Sequence, residues 1–150
     1  MGVLDRACVI FAACAVLAPA AHVLEMPNKF RLDGPLWLAV QKTLYNGWGP
    51  FIGAPTEIGS LVLCLVLSWR AEDRRARRLW LLAACAYGAM LAAFFALNAP
   101  VNAALVAWQP DTLPADWASY RARWELGHGL AALFSALGLL LVLRAYRRPD

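Results

Sequence analysis

Charge is what this sequence has least of. Only 16% of its 150 residues are Asp, Glu, Lys or Arg, whereas soluble domains carry roughly 25%. There are two histidines and four cysteines. The thiols, Cys8, Cys14, Cys64 and Cys85, each sit inside an apolar stretch, and none forms a Cys-x-x-Cys pair. That spacing argues against a zinc knuckle and a thiol oxidoreductase and leaves buried, inert thiols. No internal repeat or low-complexity tract is visible. What fills the gap is apolar: 61% hydrophobic residues and a mean hydropathy of +0.53. One small domain has too little interior to hide that much apolar surface, so a soluble monomer is excluded, and so is intrinsic disorder. The implied solvent is lipid.

Four segments have the roughly 20 apolar residues that a helix needs to cross a bilayer: residues 7–24, 51–69, 79–98 and 124–143. Trp69, Trp80, Trp108, Trp117 and Trp124 fall at or near segment ends, as an aromatic belt does. The pattern predicts an all-α, four-helix, up-down membrane bundle, with residues 1–150 as one domain. The first segment also fits a signal peptide, with Arg6, an apolar core and the small residues Ala18 to Ala21 before His22. Asp5 beside Arg6 weakens that charged start, and the polar residues after Ala21 suit a helix that continues into a site.

Four spans put both termini and the 70–78 loop on one side. That side carries nine basic residues: Arg6, Arg70, Arg74, Arg75, Arg77, Arg78, Arg144, Arg147 and Arg148. Its acids are Asp5, Glu72, Asp73 and Asp150. The other side has five bases against six acids. By the positive-inside rule both termini are cytoplasmic, in the inner membrane of the cell, with residues 25–50 and 99–122 outside. Arginines that flank apolar runs are topology determinants, not a water-facing stripe for nucleic acid.

The outer 25–50 segment has structure of its own. Asp33-Gly34-Pro35 is a helix start. Leu36, Trp37, Val40 and Leu44 then recur at helical spacing, Gln41 and Lys42 look outward, and Gly47 is a stop. This predicts a short amphipathic helix lying on the outer membrane face.

The remaining polar residues fall at one depth. His22 and Glu25 close the first span, Glu57 opens the second, Asn98 and Asn102 end the third, and Arg121, Arg123, Glu125 and His128 open the fourth. Ionisable groups inside a membrane are costly unless paired, which makes this layer a candidate cavity. Trp124, His128, Ala131, Ser135 and Gly138 share one face of the last span, and Glu57, Ser60, Cys64 and Ser68 one face of the second. Small and weakly polar faces let membrane helices approach closely. Each residue also has a plainer reading. Arg121, Arg123 and Trp124 suit snorkelling and belt positions. Glu57 suits the helix dipole, and the two asparagines suit backbone freed by Pro100.

His22-x-x-Glu25 and Glu125-x-x-His128 each set an imidazole and a carboxylate at i, i+3. Together His22, Glu25, Glu125 and His128 make a partial metal set, open to a mononuclear iron, copper or zinc ion. Bis-histidine haem ligation by His22 and His128 is a further reading. Pro27 loosens the helical register near Glu25.

From residue 98 onward, Asn98-Ala-Pro-Val-Asn102, Trp108, Pro114-Ala-Asp116-Trp117 and Arg121-Ala-Arg123-Trp124-Glu125-x-x-His128 resemble the anthrone oxygenase-like family of small four-helix membrane proteins. The stretch His22-Val-Leu-Glu25-Met-Pro27-Asn-Lys29 looks like a bacterial branch of it. The resemblance implies oxidation of a flat, acidic polycyclic phenol at a methylene carbon, giving a quinone without an evident cofactor. In those roles His128 is the general base. Arg121 or Arg123 with Asn102 holds the enolate oxygen. Trp124 stacks on the ring, with Asn98, Trp108 and Glu57 in the substrate-binding set. The competing readings are a metal or haem protein and a non-enzymatic partner subunit docking through Leu36 and Trp37. The expected partners are the bilayer and a lipophilic small molecule, with a homo-oligomer or a membrane partner as further options.

Overall fold

The computed structural model describes residues 2–146; Arg147, Arg148 and Asp150 of the charge count lie outside the described residues. Five helices account for the fold: α1 (Val3–Lys29), α2 (Gly34–Thr43), α3 (Gly49–Arg70), α4 (Arg74–Ala107) and α5 (Trp117–Tyr146). All but α2 are long and apolar enough to cross a membrane. Each of the four packs on two others, in the ring α1–α3–α4–α5. The start of α1, the end of α5 and the α3–α4 turn gather at one end, around a depression lined by Leu4, Leu67, Ala76 and Ala145. This is the expected up-down, all-α bundle.

Small residues set the spacing of the core. Cys8, Ala12 and Ala15 of α1 meet Cys64 of α3, Ala83, Tyr87 and Met90 of α4, and Ala131 and Val142 of α5. The Cys8 and Cys64 sulfurs are 3.6 Å apart. The two predicted stripes are inward: Ser60, Cys64 and Ser68 on α3, and Ala131, Ser135 and Gly138 on α5, are buried. Their opposite faces carry exposed Val62, Leu65, Leu133 and Leu137, which suit lipid. At Gly138 an added Cβ would sit 2.7 Å from the Tyr87 ring, so a missing side chain brings α4 and α5 together.

Three corrections follow at the ends of elements. Helix continues through the prolines of the first and third spans. α1 continues through Pro19 and Pro27 to Lys29, so the register at Glu25 is helical. α4 passes Pro100 by widening into a π-helical turn at Phe94–Asn98. A proline in a helix leaves the carbonyl four residues earlier without its donor, here that of Ala96, and Arg123 Nη2 donates to it at 2.6 Å. The partner of that backbone is therefore Arg123, not Asn98 or Asn102.

The short helix α2 starts as expected, with Asp33 accepting from Leu36 N at 2.9 Å and proline in the first turn. Gly47 follows at φ +88°, a left-handed turn that favours glycine. The inward face of α2 differs from expectation. Trp37, Leu38 and Gln41 are buried, while Leu36 and Leu44 are exposed. Trp37 and Leu38 pack on Val101, Leu105 and Trp124, so α2 is a roof over the end of the bundle.

Candidate functional site

Beneath that roof the end of α1 and the start of α5 bring two imidazoles together. The His22 and His128 rings are 4.1 Å apart at 41°. Around them stands an aromatic wall: Trp124 at 4.1 Å from His128 and 4.7 Å from His22, Tyr45 at 4.4 Å and Trp48 at 5.5 Å from His22. Tyr45 also stacks on Trp124 at 5.8 Å. His22, Trp124 and Glu125 are buried and His128 is half-buried. Helical spacing explains the convergence from α5, because Trp124 and His128 are one turn apart.

Lys29 joins them as a buried cation, 3% exposed. Its Nζ lies 2.9 Å from Glu125 Oε2 and 3.4 Å from His22 Nδ1, over the Trp124 ring at 4.9 Å. An ammonium only donates, so the contact with His22 requires Nδ1 as acceptor and puts the ring proton on Nε2. Glu25 lies 3.9 Å from His22 Nδ1 and accepts from the Tyr45 hydroxyl. Burial, then the Glu25 bond and the charges of Glu25 and Glu125, push the Tyr45 phenol up from its ordinary value. It stays a donor. One turn and two turns back along α2, Gln41 Nε2 and Trp37 Nε1 are buried with no hydrogen-bond partner among the described residues. The roof thus turns three polar tips inward.

The expected residues divide into two groups. His128, Trp124, His22, Glu25 and Glu125 are in the cluster. The others fasten it. Asn98 Nδ2 donates to the Trp124 carbonyl at 2.9 Å, and Trp124 Nε1 donates to Asn102 Oδ1 at 2.9 Å. Arg121 Nη1 donates to the carbonyls of Lys29 and Leu32 at 3.1 and 2.8 Å, with its guanidinium between Phe30 and Trp117. With Arg123 on Ala96, both guanidiniums are committed to main-chain carbonyls. Trp108 packs on Tyr120 at 4.9 Å, and its carbonyl accepts from Lys42. Glu57, half-buried beside Gly53, makes no hydrogen bond or ion pair among the described residues.

Sequence reasoning missed Lys29, Tyr45 and Trp48. The signal for Lys29 was its spacing: i+7 from His22 and i+4 from Glu25, two turns along one helical face. The loosened register expected at Pro27 hid it.

The donor set does not fit a metal or a haem. Among the described residues no three His, Cys, Asp or Glu side chains are placed so as to hold one metal ion. Glu125 is held by Lys29 and Glu25 by Tyr45. Rings with centroids 4.1 Å apart touch, and no porphyrin plane passes between them. A depression of about 1400 Å³ lies at the opposite end, among Asp5, Arg70, Arg75 and Arg144, far from the imidazoles. Comparison of the chain with models of protein families, with curated proteins and with solved structures gave no match.

Proposed function

We propose that this chain is an integral membrane oxidoreductase that deprotonates a lipophilic phenol of anthrone or hydroquinone type and passes it to molecular oxygen. The observation that carries this reading is the His22–His128 pair, walled by Tyr45, Trp48 and Trp124 and flanked by the Lys29 ammonium. The resemblance to anthrone oxygenase-like proteins points to the same reaction class. His128 takes the proton from the acidic methylene carbon, and general-base catalysis of this kind is worth roughly 10²–10⁴-fold. The negative charge moves to the ring oxygen. Lys29 is the cation at hand to stabilise it, the role the sequence assigned to Arg121 or Arg123. Dioxygen takes electrons from the carbanion as a carbon–oxygen bond forms. For an anthrone, loss of water then leaves the carbonyl, so one O₂ converts CH₂ to C=O plus H₂O. For a hydroquinone, His128 takes a hydroxyl proton instead, and O₂ accepts two electrons and two protons, giving the quinone and H₂O₂. Dioxygen and an apolar ring both partition into lipid, which gives a membrane site its advantage.

The basic residues at the end that holds the termini support a cytoplasmic placement of that end, with the imidazoles toward the outer face. Docking of a partner through Leu36 and Trp37 finds less support, because Trp37 is fully buried.

The test is turnover of a hydroxyanthrone, followed as dioxygen uptake above the uncatalysed rate, in purified protein. His128→Ala is expected to lose roughly 10²-fold or more while its helical content and melting stay near wild type. Normal turnover in that folded variant overturns the base assignment.

A further inference from the structure

An apolar cleft of about 450 Å³ opens between α1 and the segment that runs from the α2–α3 connector into the first turn of α3. Leu17, Ala18 and Ala21 form one wall, and Gly47, Trp48 and Phe51 the other. At 100° per residue the three α1 positions share one side of the helix, and His22 lies on the adjoining flank. The alanines hollow the wall where larger side chains would fill it. Leu17 and Phe51 at the mouth are 58% and 86% exposed, on a bundle whose outward faces suit lipid. Trp48 belongs to both spaces: it lines the cleft, and its ring is 5.5 Å from His22 and 5.3 Å from Tyr45. The wall that carries it includes Gly47 at positive φ and Gly49, around which there is open space.

We propose that this cleft seats the hydrocarbon substituent of the substrate, with its hydroxylated ring directed past Trp48 to His22 and His128. The inference rests on the oxidoreductase reading and names its substrate class: a phenol or hydroquinone with an alkyl or prenyl tail, which enters sideways from the bilayer. A volume of this order matches that of small-molecule pockets. The tail gains little by leaving lipid for a cleft as apolar as lipid. Selectivity must therefore come from the head, whose oxygens reach the Lys29, His22 and Tyr45 groups behind Trp48. This separates a tailed phenol from a bilayer acyl chain lodged in the same groove.

The experiment uses the full chain in phosphatidylcholine vesicles and a decylhydroquinone with a diazirine in its tail. After irradiation, adducts are mapped by mass spectrometry. The expected result is labelling at Leu17, Ala21 and Phe51 that excess decylhydroquinone suppresses and decanol does not. Labelling spread over the lipid-facing surface, or suppressed equally by decanol, overturns the proposal and marks the cleft as a groove for any hydrocarbon. Ala21→Trp and, separately, Ala18→Phe fill the cleft. Either one, with its melting unchanged, is expected to lose the adducts and to raise KM for the tailed hydroquinone more than it lowers kcat. Labelling is read without turnover, so the two readings fail separately. Adducts that persist in a His128→Ala protein with normal turnover remove the base but keep the cleft. A dead His128→Ala protein whose wild type never labels there removes the cleft alone.

Discussion

At the scale of single residues, the site is organised by a charge that sits where charge is scarce. Lys29 is buried against Glu125 at 2.9 Å. Removing one member of a buried pair strands the other, at about 3–5 kcal/mol, whereas replacing both with apolar residues is often near neutral. Lys29→Met is therefore expected to lower unfolding stability in detergent by about 3 kcal/mol, and Lys29→Met with Glu125→Leu to recover most of it. A double variant as unstable as the single one would show that the pair is not the coupled unit. Gly127 offers a second test. An added Cβ would lie 2.0 Å from Asn98 Oδ1, and Asn98 is buried and bonded to the Trp124 carbonyl. Gly127→Ala must displace that amide, and overpacking of this kind costs about 1–3 kcal/mol. A lower melting temperature, with reduced turnover because Trp124 shifts, is the expected outcome.

At the scale of elements, a proline and an arginine act as one device. Pro100 frees the Ala96 carbonyl, and Arg123 on the neighbouring helix supplies the missing donor. Arg123→Ala is expected to cost about 1.5 kcal/mol, the worth of a charged hydrogen bond. In a Pro100→Ala background the backbone N–H returns, and the same substitution should cost markedly less. Equal losses in both backgrounds, read from unfolding midpoints, would place the value of Arg123 elsewhere. The roof obeys a different logic. Its start was legible in Asp33-Gly34-Pro35, because capping chemistry is local. Its facing was not, because an apolar periodicity assumes that polar residues look outward. Here Gln41 turns in beneath the roof, and Leu36 and Leu44 turn out.

At the scale of the whole molecule, the four spans, their alternation and the shared layer of His22, Glu125 and His128 were legible because hydropathy and depth are properties of single segments. The assignment of partners within that layer was not. The family resemblance implies Arg121 or Arg123 as the ligand for an enolate, and their place at a helix entrance fits snorkelling equally well. Which of two cations meets a substrate, and which meets a carbonyl, depends on contacts between helices that spacing within one helix does not encode. The bias of basic residues toward the termini predicts its own test. A fluorescent reporter that matures only in the cytoplasm should light up when fused after residue 150. A cysteine placed at exposed Gln109 should react with a membrane-impermeant maleimide from outside intact cells. The reverse pattern inverts the site to the inner face.

The fastening of α1 by Arg121 carries a consequence for biogenesis. The carbonyls of Lys29 and Leu32, at and just past the end of the first span, are held from 92 and 89 residues further along the chain, and the partner of Lys29 comes from the same late helix. A chain still emerging from the ribosome has made the first span long before it owns either fastener. Until the fourth span inserts, the first ends in a bare cation and open carbonyls at the membrane edge, where water can still serve them. The layer around the two imidazoles is thus completed only once the fourth span has been made.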